Sequence, residues 1–234
     1  MEAKDFRIAV IDGTGAWSDA TYEREMQNSF CSQIARQTEA KSRYWRGPSF
    51  DGIGVGPKAD EAAEWLQAEL ECSAQRPRLF LAGYSRGASA AILAAERLQP
   101  KGVKIEGMFL FDPVARHTYS GGEVIPANVS KAYVVRRLLE PALVKKYEKG
   151  GRLGRYFPTT NPIRPWFGTT AVQHLGPGAC RTQEFRGSHG ALGGVGWKEV
   201  SEDEACQLHV ADWMSKALRA EGLPVYLTSF APAG

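Results

Sequence analysis

One short segment constrains this chain more than any other: an apolar strand that turns directly into a helix, with a glycine-flanked serine between them. Residues 78–82 predict a buried strand, and residues 88–98 predict a helix that is apolar on nearly every side. So tight a turn has room only for small residues, which Gly83 and Gly87 supply. It also presents the Ser85 hydroxyl above the strand end, where a nucleophilic serine belongs.

The five-residue pattern around Ser85 is a weak indicator by itself, because a chain with 25 glycines contains such spacings by chance. The strand before it and the helix after it make the pattern more specific. The alternative is a glycine-rich turn in which Ser85 only caps the following helix.

Strands and helices alternate through the first 135 residues. Strands are predicted at 7–11, 43–45, 78–82, 104–111 and 131–135, and helices at 22–38, 59–73 and 88–98. After a further strand at 182–185, a last helix opens with a capping box, Ser201 to Glu204, and ends near Ala220. This alternation predicts one domain over residues 1–234, with a mostly parallel sheet and helices on both faces.

Three polar segments follow predicted strands: Asp12-Gly13-Thr14, Ser85 and Asp112. Because the carboxyl ends of parallel strands meet at one edge of a sheet, we expect these segments to lie close together, where ligands bind. The first segment is not a dinucleotide-binding motif, since the required glycine spacing fails at Ser18.

A serine hydroxyl needs a base, and imidazole serves near neutral pH. The chain has four histidines, all of which follow Ser85: His117, His174, His189 and His209. His189 is the favoured base, because it follows a predicted strand and opens a glycine-rich loop just before the last helix. An ordinary loop histidine is the alternative for His189, and His117 is the next candidate base.

A carboxylate must orient that imidazole. Asp112 is the leading candidate, because it ends the predicted strand at 104–111 and precedes Pro113, which halts strand pairing. The alternative is an aspartate that only initiates a turn before proline. Glu140 is the second candidate for the acid.

A tetrahedral oxyanion needs two preorganised donors. We expect one donor to be the backbone N–H of Arg86, the residue after the serine. We expect the other to be a backbone N–H in the loop after the first strand, at Gly13 or Thr14.

Residues 136–180 break the regular pattern, with five prolines, interspersed aromatic residues and eight lysines or arginines before residue 165. An irregular segment of this length predicts a lid-like insertion. Candidate substrate-pocket or lid residues are Tyr84, Phe157, Trp166 and Phe167. Two interpretations stay open for the basic and aromatic surface: a solvated lid, or peripheral contact with an anionic amphiphile at a membrane.

Composition excludes several classes of function. The net charge of +3 is too small to indicate nucleic-acid binding, and no run of eighteen apolar residues predicts a membrane span. The four cysteines lack metal-site spacing, so we expect buried free thiols, no metal and no cofactor. The absence of a signal-peptide pattern predicts a cytoplasmic location, with export by a signal-independent secretion system as the alternative. No feature indicates an oligomeric state.

Several segments occur in an order that resembles a known family. They are Ile11-Asp12-Gly13-Thr14, Asn28, residues 52–56 (GIGVG), 83–88 (GYSRGA), 111–114 (FDPV), 187–194 (GSHGALGG) and 212–214 (DWM). They resemble the α/β-hydrolase domain of type VI secretion phospholipase effectors and its uncharacterised bacterial and fungal relatives. The matches extend from the first strand to the last helix.

The resemblance implies an α/β-hydrolase-like fold and an ester hydrolase that acts through Ser85, Asp112 and His189. Pro113 stands where the family has a small residue. Gly190-Ala191 stand where it has Ser-Asp, so a carboxylate beside the histidine is missing from these positions. The chain also lacks the large membrane-binding regions of the effectors.

The favoured function is therefore hydrolysis of a carboxylic ester, by an esterase, lipase or phospholipase, on a small-molecule or lipid substrate. The alternatives are a hydrolase fold that binds a ligand without catalysis, and transfer of the acyl group to an acceptor other than water.

Overall fold

The computed structural model of the chain describes residues 5–48, 53–117, 119–138, 170–195 and 203–229. Its centre is a six-stranded sheet in which every neighbouring pair of strands is parallel. The strands are β1 (Phe6–Ile11), β2 (Ser42–Trp45), β3 (Arg78–Tyr84), β4 (Gly107–Phe111), β5 (Lys131–Arg137) and β6 (Ala179–Phe185). They are arranged in the order β2-β1-β3-β4-β5-β6.

Helices cover both faces of this sheet. They are α1 (Asp19–Met26), α2 (Phe30–Gln37), α3 (Val55–Cys72), α4 (Arg86–Leu98), α5 (His189–Gly193) and α6 (Asp203–Ala220), with 3-10 turns at Glu39–Lys41 and Gln99–Lys101. Alternate residues of β1 divide between the two apolar cores: Ile8 and Val10 pack with α2 and α6, whereas Ala9 and Ile11 pack with α3 and α4. The predicted parallel sheet with helices on both faces is confirmed.

The predicted helix at 22–38 is wrong in one respect, because the structure divides it into α1 and α2. Ser29 separates the two helices: its hydroxyl accepts a hydrogen bond from Ser32 N at 2.9 Å and so caps α2. The same hydroxyl donates to the Asp12 carboxylate at the end of β1. The helical pattern of apolar residues continues across the break. The local sequence therefore gives no sign of the contact between Ser29 and Asp12 that ends the first helix.

The predicted strand at 104–111 begins later than expected. β4 starts at Gly107, and Ile105 forms only an isolated bridge with Val129. The opening of the last helix at Ser201 lies outside the described residues, while its end at Ala220 agrees with the prediction.

One buried carboxylate lies at the edge of the sheet where the strands begin, opposite their carboxyl ends. Glu221, just after α6, accepts hydrogen bonds from Lys131 Nζ at 2.9 Å and from Tyr133 Oη at 2.6 Å, both in β5. Arg78, at the start of β3, donates to the Glu221 backbone oxygen at 2.6 Å. The end of α6 is thereby joined to two strands of the sheet.

The cysteines only partly match the expectation of buried thiols. All four are free, and Cys31 and Cys206 are buried, but Cys72 is exposed and Cys180 is partly exposed. Within the described residues, no cluster of potential ligands is suited to a metal ion. The helices among them are too short or too polar for any to span a bilayer.

Candidate active site

Ser85 lies in the turn between β3 and α4, with a backbone conformation that L-residues rarely adopt (φ 55°, ψ −124°). The turn is held from both sides, since Ser85 N donates to Phe111 O at 3.0 Å and Ser85 O accepts from Val114 N at 3.0 Å. These bonds connect the turn to β4 and its following loop. They keep the strained residue in place above the edge of the sheet.

The two glycines of the turn are required by close backbone packing. A Cβ on Gly83 would lie 2.6 Å from the Ala88 Cα, and one on Gly87 would lie 2.1 Å from the Asp12 carbonyl oxygen. Backbone atoms cannot move aside as a flexible side chain can. The structure thus supports the predicted need for small residues on both sides of Ser85.

Ser85, His189 and Asp112 form a continuous chain of hydrogen-bonding distances. His189 Nε2 lies 2.8 Å from Ser85 Oγ, and His189 Nδ1 lies 2.6 Å from Asp112 Oδ2. All three residues are at least nine-tenths buried. This is the arrangement in which a base can take the serine proton while a carboxylate orients the imidazole.

Asp112 directly follows β4 and is positioned by backbone bonds to the end of β5. Its φ of 38° turns the side chain away from the strand direction, and its N–H donates to Val135 O at 2.8 Å. The second carboxylate oxygen, Oδ1, accepts from Arg137 N at 3.0 Å. One oxygen therefore faces the imidazole while the other is occupied by the backbone.

His189 is the first residue of α5 and is held by two further contacts. Its ring lies 4.9 Å from the ring of Tyr84, centroid to centroid, and the Tyr84 hydroxyl donates to the His189 backbone oxygen at 3.0 Å. Ser188 caps α5, with its hydroxyl accepting from Ala191 N at 3.1 Å. Tyr84, a predicted pocket residue, is 97% buried against the histidine.

Asp203 also belongs to this region, although its sequence position did not predict it. Its carboxylate accepts from Ser188 N at 2.8 Å and from the Ser188 hydroxyl at 2.7 Å. A carboxylate from α6 thus supports the turn that carries the histidine, although Gly190-Ala191 provide none. Its position within a predicted capping box was the only local signal, and that signal indicated a different role.

The other histidines lie elsewhere. His117 Nε2 is 2.8 Å from the hydroxyl of Ser89, which itself donates to Gly122 O at 2.7 Å. His174 Nε2 is 2.9 Å from Val129 O, and His209 is exposed on α6. His117 therefore contacts a serine one helical turn beyond Ser85 rather than Ser85 itself.

The loop after β1 runs alongside the serine turn. Gly13 lies against Tyr84, since a Cβ on Gly13 would come within 2.3 Å of the Tyr84 ring. The Gly13 N–H already donates to Asp12 Oδ1 at 2.7 Å, so Gly13 is unsuitable as an oxyanion donor. Thr14 is the remaining predicted donor of this loop, and its hydroxyl accepts from Arg86 Nη1 at 3.1 Å.

Asp12 is a fully buried carboxyl group beneath this loop. Burial raises its pKa, hydrogen bonds from Ser29, Gly13 and Tyr44 oppose the rise, and the resulting pKa is about 6. Tyr44 donates to Asp12 Oδ2 at 2.8 Å from the neighbouring strand β2. The Asp12 side chain therefore connects the end of β1 to β2 and to the start of α2.

Guanidinium groups also gather at this edge of the sheet. Burial and, as a smaller effect, the neighbouring charge of Arg86 together lower the pKa of Arg116 to about 10. Arg136 is 96% buried and donates to the Thr170 backbone oxygen. Most of the predicted insertion, with Glu140, Phe157, Trp166 and Phe167, lies outside the described residues.

Comparison with protein-family models gives no match for this chain, and neither does comparison with curated proteins. Solved structures give distant likenesses. One is an esterase from the hyperthermophilic archaeon Pyrobaculum calidifontis, at 14% identity, with 93% of this chain and 79% of that chain covered and a TM-score of 0.49. Another is the RedJ thioesterase of Streptomyces coelicolor prodiginine biosynthesis, at 11% identity, with 94% and 91% covered and a TM-score of 0.46.

A third similar structure is XC6422 from Xanthomonas campestris, described as an α/β serine hydrolase without a lid. It is 16% identical, with 78% of this chain and 73% of that chain covered and a TM-score of 0.39. Likeness at this level carries no activity from one protein to another. The parallel sheet order, the helices on both faces and the strained turn after β3 give this chain an α/β-hydrolase-like fold.

Proposed function

We propose that this protein is a serine hydrolase that cleaves a carboxylic ester through an acyl-enzyme on Ser85. One observation carries the proposal: Ser85 Oγ, His189 and Asp112 Oδ2 are linked by contacts of 2.8 and 2.6 Å, on a serine held in a strained turn. A serine that only capped α4 would need no such partners, and Ser85 makes no side-chain capping bond.

The reaction begins when Ser85 Oγ attacks the ester carbonyl carbon and His189 Nε2 takes the hydroxyl proton. The carbonyl π electrons move to oxygen and form the oxyanion, which the N–H groups of Arg86 and Thr14 stabilise. When the tetrahedral intermediate collapses, the bond to the alcohol oxygen breaks and His189 gives its proton to that oxygen. A water molecule then repeats the sequence on the acyl-enzyme and releases the carboxylic acid.

The proposed substrates are small-molecule or lipid esters, with phospholipids included because of the family resemblance. Basic and aromatic residues of the insertion would contact such an amphiphile. The acyl acceptor is proposed to be water, and a transferase would reveal itself by forming new esters when alcohols are added to the assay.

The experiment is covalent labelling combined with ester hydrolysis. The wild-type protein is expected to hydrolyse p-nitrophenyl butyrate and to take up a fluorophosphonate on Ser85, located by mass spectrometry of the digested peptides. Ser85→Ala and His189→Ala are each expected to lower the rate at least 1000-fold while the protein stays folded.

Ser89 provides a matched internal control for the labelling. It too faces a histidine, but its hydroxyl donates to Gly122 O and accepts from the imidazole, so it is not activated. Ser89 should carry no label. A wild-type protein that neither labels at Ser85 nor hydrolyses the ester would favour a binding protein with this fold and would reject the proposed catalysis.

A further inference from the structure

The guanidinium of Arg86 connects the serine turn to the loops on either side of it. Nη1 donates to the Thr14 hydroxyl at 3.1 Å, and Nε donates to the Arg116 backbone oxygen at 2.8 Å. We propose that Arg86 is a positioning residue that holds Thr14, and with it the second oxyanion donor, beside Ser85. This inference rests on the proposed esterase function and assigns a role to the Arg86 side chain in addition to its backbone.

The loop after β1 offers few donors to an oxyanion. The Asp12 N–H donates to Trp45 O at 3.0 Å, and the Gly13 N–H donates to the Asp12 carboxylate at 2.7 Å. The Gly13 carbonyl accepts from the Tyr22 hydroxyl at 2.9 Å. Among the described residues, no such bond engages the Thr14 N–H, which leaves it for a ligand.

Asp12 and Gly13 are held firmly, whereas Thr14 lies beyond these bonds. A Cβ on Gly47 would fall 1.8 Å from the Gly13 oxygen, and one on Gly13 would fall 2.3 Å from the Tyr84 ring. The loop is therefore clamped on both sides up to Gly13. The bond from Arg86 extends this restraint by one residue, to Thr14.

Arginine is suited to this task because its planar group donates in fixed directions. Nε and Nη1 reach two different loops from one rigid plane, and Arg86 is 93% buried. A lysine at this position would carry all its donors on one freely rotating nitrogen and would not reproduce these two fixed directions. The Arg86 N–H, at the start of α4, and the Thr14 N–H would then approach one oxyanion as a preset pair.

A positioned oxyanion donor acts on the transition state more than on the bound ester. Loss of the bond between Arg86 and Thr14 should therefore lower kcat and change KM little. Thr14→Val removes the hydroxyl at nearly constant volume, whereas Thr14→Ser keeps it. We expect Thr14→Val to lower kcat about 10- to 100-fold and Thr14→Ser to stay within about 3-fold of wild type.

Two further readouts separate positioning from general damage. An alkylboronic acid forms a tetrahedral adduct on Ser85 with an oxygen in the oxyanion position, so its Ki should rise in Thr14→Val by about the factor lost in kcat. A thionoester places sulfur, a weaker hydrogen-bond acceptor, at that position. The ester-to-thionoester rate ratio should therefore fall in Thr14→Val and stay high in Thr14→Ser.

Arg86→Lys is expected to resemble Thr14→Val. The double variant should be no slower than the slower single variant, because both substitutions remove the same bond between Arg86 and Thr14. Thr182→Val, on the exposed strand β6, is the matched control and should leave kcat unchanged.

Unchanged kcat in Thr14→Val, additive losses in the double variant, or a loss confined to KM would each overturn the positioning role. Those results require an active wild-type enzyme. A wild-type chain that fails to label at Ser85 would instead reject the proposed function.

Discussion

Asp203 holds Ser188 through both of its carboxylate oxygens, with the Ser188 N–H at 2.8 Å from Oδ1 and the Ser188 hydroxyl at 2.7 Å from Oδ2. Ser188 immediately precedes His189 and caps the helix on which the imidazole is carried. A residue in the first turn of α6 thereby restrains the turn that carries the histidine. The imidazole reaches Ser85 from the start of α5.

Asp203→Ala should lower kcat and also reduce the stability of the fold. Loss of two charge-assisted hydrogen bonds costs about 2–3 kcal/mol of unfolding free energy. We expect kcat to fall roughly 10-fold, because the histidine can then occupy unproductive positions. Urea denaturation and ester kinetics measure the two effects, and Glu204→Gln, at the exposed neighbouring position, is the control. An unchanged kcat in a folded Asp203→Ala protein would contradict this role.

Ser85→Gly and Ser85→Ala should both be inactive but should differ in stability. Alanine keeps the Cβ in the strained backbone conformation (φ 55°), whereas glycine adopts it without strain. Relief of roughly 1–3 kcal/mol of strain outweighs the roughly 0.4–1 kcal/mol that glycine loses through a more flexible unfolded chain. Thermal unfolding should therefore show Ser85→Gly as the more stable of the two. Equal or lower stability in Ser85→Gly would mean that the turn stores no such strain.

Asp12 should make stability decrease as the pH rises from about 4 to about 6. In the unfolded chain its pKa is near the ordinary value of about 3.9, while burial raises the folded-state pKa to about 6. Between these values the unfolded state has lost the proton and the folded state keeps it. The stabilising contribution, fully present below pH 4, therefore declines by about 3 kcal/mol across this window.

Asp12→Asn should remove this decline. An asparagine can accept from Gly13 N and donate to the hydroxyls of Ser29 and Tyr44, so the local hydrogen bonds persist. Urea denaturation at pH 4, 5, 6 and 7 gives the comparison, with Asp60→Asn, an exposed partner of Arg97, as the control. Parallel pH profiles for the wild type and Asp12→Asn would refute the raised pKa.

Glu221→Gln should destabilise the fold and leave the active site intact, because Glu221 lies at the opposite edge of the sheet. Burial raises the pKa of this carboxyl, but hydrogen bonds from Tyr133 and Lys131 outweigh it and the net shift is downward. Its contribution is therefore present above about pH 4.3 and is lost as the pH falls through the lowered folded-state pKa. We expect a loss of about 1–3 kcal/mol at pH 7.

The check on Glu221→Gln is the stability difference from wild type at pH 7 and at pH 3. The difference should shrink at pH 3, because Glu221 is then largely protonated in the unfolded chain and the stabilising contribution of the carboxylate has declined. Values of kcat at pH 7 should match the wild type, and a large drop in kcat would show that the two edges of the sheet are coupled.

Prediction from the sequence succeeded where short-range patterns decide the outcome. The strand and helix around Ser85 were expected from apolar periodicity and glycine placement, and β3 and α4 lie there. It failed where one long-range contact overrides periodicity, as at Ser29, whose hydroxyl binds Asp12 and ends the first helix. Asp203 was overlooked for a similar reason, since its partner Ser188 is 15 residues away.

The sequence by itself determined the parallel α/β class, the tight serine turn and the set of candidate acids and bases, because periodicity and turn chemistry act over a few residues. Only the tertiary structure decided which histidine meets Ser85 and that the Gly13 N–H is bonded to the Asp12 carboxylate. His189 is 104 residues from Ser85 and 77 from Asp112, and these groups meet because β3, β4 and the turn before α5 end at one edge of the sheet. Contacts between residues so far apart in sequence depend on strand order and side-chain geometry, which no local segment encodes.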